Sequence, residues 1–169
     1  MSFKLGNTNI GELYVGNTKI AQAYLGSSLV YQQTSPITDY DSYVVHITLE
    51  HDDNFTMAGL RTDGIQVHPS QVISMKYYWQ GWYEVDSHDI STAIDWNYDN
   101  GITFYCTAID INFTNDTIPS TVQVHTGLYY GGGSMTVTIH VAGVKDGVET
   151  DLGYTSNTNA ANLIYTVNI

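Results

Sequence analysis

The sequence predicts an all-β protein: a β-sandwich of immunoglobulin-like or jelly-roll type, preceded by a small β-meander of three decapeptide repeats. Three observations lead there. Charged residues make up 13% of the chain and hydrophobic ones 43%, so Thr, Ser, Asn and Gln must supply most of the polar surface. Together with 15 Gly and 14 Tyr, that composition favours strands and tight turns. Apolar residues recur with a period of two in several segments, the spacing that turns one strand face into a core. No segment carries convincing helical periodicity, the nearest being Pro69 to Lys76.

The first element is the repeat. Leu5-Gly6-Asn7-Thr8-Asn9-Ile10 is followed by Val15-Gly16-Asn17-Thr18-Lys19-Ile20 and by Leu25-Gly26-Ser27-Ser28-Leu29-Val30. Glycine before Asn or Ser is a two-residue hairpin signal, because glycine accepts a positive φ at the first turn position. Strands are therefore expected from Thr8 to Val15 and from Thr18 to Leu25. Lys19 to Tyr24, with Ala21-Gln22-Ala23, also admits a single helical turn. Residues 1–33 alone bury too little apolar surface to offset their own ordering entropy. They should be stable packed on the rest of the chain or on another protein. Leu5, Ile10, Tyr14, Val15, Ile20, Tyr24, Leu25, Val30 and Tyr31 are the candidate assembly contacts.

Gln32-Gln33-Thr34-Ser35-Pro36 is a polar break, so residues 34–39 read as a linker and residues 40–169 as the sandwich. Val45, Ile47 and Leu49 alternate with His46, Thr48 and Glu50, and His51-Asp52-Asp53-Asn54 reads as a turn between strands. Ile94, Trp96 and Tyr98 approach Asp99-Asn100-Gly101, and Ile102, Phe104 and Cys106 leave it, as in a hairpin. The apolar phase then slips between Ala108 and Ile109 and continues on Ile111 and Phe113. Such a slip signals a bulge, or a strand crossing between sheets. Met135, Val137, Ile139 and Val141 form another strand, broken at Lys145-Asp146-Gly147. Leu163, Tyr165, Val167 and Ile169 form the last. About seven to nine strands at this spacing suit a sandwich. With Cys106 the only cysteine, the Cys…Trp…Cys signature of immunoglobulin domains is absent.

A formal charge of −12, from 17 acidic and five basic residues, disfavours nucleic acid and anionic membrane surfaces as partners. Met1-Ser2-Phe3-Lys4 opens no apolar run of signal-peptide type, so the protein is expected to be soluble and made in a cytoplasm. Asp95 to Gly101 superficially resembles a calcium loop, but its sixth position is Asn100 and its twelfth Cys106, where an EF-hand needs Gly and Glu. The six histidines show no ligand spacing, and His46 and His140 fall on polar strand faces. Cys106 shares a strand face with Phe104 and reads as a small buried hydrophobe. Gly131-Gly132-Gly133 lacks the Lys and Ser/Thr of a phosphate loop. Asn54-Phe55-Thr56, Asn112-Phe113-Thr114 and Asn115-Asp116-Thr117 match glycosylation sequons, as an Asn- and Thr-rich chain does by chance. No enzyme, metal or cofactor is expected. One segment invites binding: Tyr77, Tyr78, Trp79, Trp82 and Tyr83 flank Gln80-Gly81 and would crowd both faces of a hairpin. One face can fill a core, while the other stands exposed to stack on a glycan or anchor a protein contact.

The opening segment also carries a resemblance. A run of the form apolar-Gly-Asn/Ser-Thr/Ser-x-Ile/Val, ending in Tyr-Leu-Gly-x-x-Leu-Val-Tyr, resembles the start of virion structural proteins of tailed bacteriophages. Those of crAss-like and other gut phages are among them. The matching residues are Tyr14 to Ile20 and Tyr24 to Tyr31. The resemblance implies a non-enzymatic virion component, carried in many copies beside other virion proteins. A capsid auxiliary protein decorating the head is the favoured role, docked through its repeats. A tail or head-fibre component, or a carbohydrate-binding sandwich using Trp79 and Trp82, is the alternative.

Overall fold

A computed structural model describes residues 39–128, 135–159 and 163–169, together with the backbone of six short strands between Lys4 and Gln32. The chain divides into two compact units, Met1–Thr38 and Asp39–Ile169.

In the first unit the strands pair as three hairpins: β1 (Lys4–Leu5) with β2 (Thr8–Asn9), β3 (Leu13–Val15) with β4 (Thr18–Ile20), and β5 (Gln22–Leu25) with β6 (Ser28–Gln32). Leu5 faces Thr8, Val15 faces Thr18 and Leu25 faces Ser28. The expected eight-residue strands are each divided in two, since β2 and β3 belong to different pairs, as do β4 and β5. Residues 22–25 form a strand, not the helical turn that Ala21-Gln22-Ala23 admits. The side chains of all nine candidate assembly contacts lie outside the described residues, as does Gly131-Gly132-Gly133.

The second unit is one antiparallel sheet folded into a sandwich. Its axis is β7 (Ser42–Thr62), a 21-residue strand. Beside it runs β11 (Ile102–Phe113), antiparallel from Phe113 opposite Tyr43 to Ile102 opposite Met57 with one register shift between. Along its first half β7 also pairs with β13 (Met135–Lys145), which continues into β14 (Val148–Asn159). Beyond β11 on that side lie β9 (Val72–Tyr78) and β10 (Trp82–Glu84). Along its second half β7 pairs with β12 (Thr121–Leu128), which pairs with β15 (Leu163–Asn168); β8 (Ile65–Gln66) folds back on the end of β7. One layer is thus β14-β13-β7-β11-β9-β10 and the other β11-β7-β12-β15, with β7 and β11 passing through both.

The sequence explains this construction. Val45, Ile47 and Leu49 in one half of β7, and Phe55 and Met57 in the other, are buried and share one strand face, so both layers meet one core. Each such side chain contributes roughly 1.5–3 kcal/mol of burial. His51-Asp52-Asp53-Asn54 is not a turn. It is the middle of β7, with His51 and Asp52 exposed where the strand passes between layers. In β11 the register shifts between Cys106 and Ala108, just before the phase slip expected between Ala108 and Ile109, and Ile109, Ile111 and Phe113 re-enter the core. The turn of β13 into β14 places Asp146 at φ 52° and Gly147 at φ 75°, the left-handed pair of a type I′ hairpin. There Lys145 Nζ donates to Asp41 Oδ1 at 2.9 Å and Asp39 Oδ2 at 3.3 Å, fixing the start of the unit.

The expected hairpin at Asp99-Asn100-Gly101 does not form. Asp86 caps a single helix, α1 (Ser87–Ala93), accepting from the N–H groups of His88 and Asp89. Trp96 then takes a left-handed backbone, φ 66°, and residues 98–100 form a 3₁₀ turn capped by Asn97. The segment lies over the outer face of the second layer. Trp96 covers Gly59, the Arg61 guanidinium sits 3.8 Å above its ring, and His125 packs against both Trp96 and Tyr98.

Candidate functional site

Among the described residues the outer face of the six-stranded layer is exposed along much of its extent, with Val44 and Ala142 buried within it, and strand register lays its side chains out in rows. Directly opposed residues of antiparallel strands share a face. The first row runs Trp82, Tyr78, Ala108, Thr48, Thr138 across β10, β9, β11, β7 and β13. The second runs Glu84, Lys76, Asp110, His46, His140 and, on β14, Tyr154. The third runs Ser74, Asn112, Val44, Ala142 and Asp151.

Within the second row charges alternate and pair. Lys76 Nζ lies 3.3 Å from Glu84 Oε1. His46 donates through Nδ1 to Asp110 Oδ1 at 2.8 Å, and its Nε2 lies 3.3 Å from Glu149 Oε2. His140 Nε2 meets Asp151 Oδ1 at 3.0 Å. The hydrogen bond to Asp110 raises the pKa of His46 above its ordinary value; burial opposes this, and the charges of Asp110 and Glu149 reinforce it.

These rows bound a groove of about 350 Å³ lined by Val44, His46, Ser74, Lys76, Trp82, Asp110, Asn112 and Glu149. Trp82 is half exposed at one end of it, held edge-on against Tyr78 with ring centres 5.4 Å apart. Asn112 brings a buried side-chain oxygen, Oδ1, with no hydrogen-bond partner. A buried acceptor left unpaired costs roughly 1–3 kcal/mol.

The five aromatics singled out from sequence separate between faces. Tyr77 and Tyr83 stack at 5.3 Å on the face opposite Tyr78 and Trp82; Tyr77 packs against Phe104 and the core, while Tyr83 stays 46% exposed. Tyr78 and Trp82 face outward. Trp79 stands against exposed Tyr105, ring centres 6.2 Å apart, and does not line the groove. The groove's polar members were not apparent in the sequence. The one signal, polar residues at alternate positions such as His46 and Asp110, describes any solvated strand face.

The other sequence candidates have local structural roles. Asp95 Oδ1 accepts from the Asn97 N–H at 2.8 Å, and Asn97 in turn caps the 3₁₀ turn. Asp53 Oδ1 accepts from the Asn54 N–H. Cys106 is fully buried, its thiol pushed up to about 12 chiefly by desolvation and secondarily by the charge of Asp52. Among the described residues no group of three or more His, Cys, Asp or Glu could hold a metal ion, and no helix is long and apolar enough to cross a membrane. No protein-family model, curated protein or solved structure matches this chain.

Proposed function

We propose that this chain is a non-enzymatic structural protein of a tailed-phage virion. In this reading it is a multicopy auxiliary subunit of the capsid surface, docked through its repeats and displaying the sandwich. One observation carries the reading: the repeats make a compact unit of their own, while among the described residues the nine-stranded sheet and its core draw on residues from Ser42 onward. The repeat strands pair with one another and add no strand to that sheet. A lone two-stranded hairpin is at best marginally stable in water, so three of them in tandem call for a surface to pack on. The resemblance of Tyr14 to Ile20 and Tyr24 to Tyr31 to virion proteins supplies the identity of that surface.

The test compares the full chain with a variant beginning at Asp39. The variant should remain a cooperatively folding monomer and fail to co-sediment with purified capsids, while the full chain binds them. A variant that unfolds, or one that binds capsids as well as the full chain, would overturn the proposal.

A further inference from the structure

We infer that the groove on the outer face of the six-stranded layer is a binding site for a neutral carbohydrate, of mono- or disaccharide size, stacked on Trp82. The inference goes beyond the virion reading and stands independently of it.

The observations converge on one ligand chemistry. At about 350 Å³ the groove lies at the small end of the roughly 300–1,000 Å³ range of small-molecule sites. Trp82 offers a half-exposed indole at its end, and Tyr78 sets the orientation of that ring. A flat aromatic surface beside a polar trough suits a ligand with one apolar C–H face and a hydroxylated rim. The lining mixes donors and acceptors: Lys76, Asp110, Ser74 and Asn112. A hydroxyl, which both donates and accepts, matches such a mixture where a purely cationic or purely apolar group does not. Asn112 lines the groove, and its Oδ1, buried and without a hydrogen-bond partner, would accept from a ligand hydroxyl once the side chain turns toward the groove.

Charge selects against anionic ligands. Asp110 and Glu149, which line the groove, share the single imidazole of His46, and Lys76 is paired with Glu84, so carboxylates outnumber cations there and a phosphate is disfavoured. The chain's −12 also repels sialic and uronic acids at long range. The carboxylates therefore act as oriented hydrogen-bond acceptors.

The experiment titrates the full chain with neutral methyl hexopyranosides, N-acetylhexosamines and their disaccharides, following tryptophan fluorescence and binding heat. Sialyllactose is the acidic comparison. At least one neutral sugar should bind, and sialyllactose should bind no better than its neutral core. Trp82→Ala and Asn112→Ala should each weaken binding by roughly tenfold or more, with the unfolding midpoint held close to wild type. Trp82→Tyr should restore part of the loss, which separates stacking from a merely structural role. Ile65→Ala, an exposed position on β8 outside the groove, should leave affinity unchanged. Absence of binding to every neutral sugar at millimolar concentration would overturn the inference. So would full affinity in both Trp82→Ala and Asn112→Ala, or a preference for the acidic glycan.

Discussion

Gly59 sits where β7 passes beneath Trp96, and Gly59→Ala tests whether that segment covers the second layer as described. A Cβ added there would lie 2.4 Å from Trp96 Cε3 and 3.0 Å from Trp96 Cα. Carbon atoms in contact prefer about 3.5–4.0 Å, so the ring must retreat by about 1 Å. Rotation of the ring alone does not relieve the clash, because the Cα is crowded too. The backbone has little freedom either: Trp96 is already at φ 66°, a conformation that costs a non-glycine residue on the order of 1–3 kcal/mol and is held by its surroundings. Those surroundings include the Asp95 bridge to Gly59, the Arg61 stack and the His125 contact. Overpacking typically costs about 1–3 kcal/mol, and loosening the Arg61 stack adds about 0.5–1. The expected destabilisation is about 2–4 kcal/mol, or about 10 °C in Tm for a unit of this size. Urea and thermal unfolding of Gly59→Ala, Trp96→Ala and the double variant give the assay. With Trp96 removed the sign should reverse, since Ala in a strand is favoured over Gly by about 0.5–1 kcal/mol. A neutral or stabilising Gly59→Ala in the otherwise native chain would refute the packing described here.

Two further expectations follow from the titrating groups. His46 has a raised folded-state pKa, so its contribution to stability is fully present below the unfolded value near 6.5 and is lost as pH rises through the folded value. The urea midpoint should fall across that window, and Asp110→Asn should flatten the fall; an unchanged profile would refute the pairing. Cys106, at about 12 when folded, should be roughly 10⁻⁴ ionised at pH 8, against about a quarter for an unfolded thiol. Native protein should therefore resist a thiol-directed disulfide reagent and react on unfolding, whereas rapid modification of the native chain would contradict its burial.

What was legible in the sequence were the features encoded by neighbours along the chain. Alternation marked the buried faces of β7, β13 and β15, because a strand's side-chain period is two. The phase slip between Ala108 and Ile109 signalled a bulge, and the register of β11 shifts just before it, between Cys106 and Ala108. Gly-Asn and Gly-Ser marked the hairpins of the first unit, and Asp-Gly that of β13 and β14. Misreadings arose where local preference yields to packing. His51 to Asn54 has turn composition yet continues β7, because its flanks, Val45 to Leu49 and Phe55 to Met57, both serve one core. Asp99-Asn100-Gly101 has hairpin composition, but Asp86 starts a helix and Ile94 is drawn into the core, leaving Trp96 to fold over Gly59 and Arg61. The groove was the least legible feature. Trp82 stood out through its composition, but Lys76, Asp110, His46 and Asn112 sit on three strands distant in sequence. Only the pairing of β9, β11 and β7 decides that they share a face, because strand register is set by long-range contacts that no local run of residues encodes.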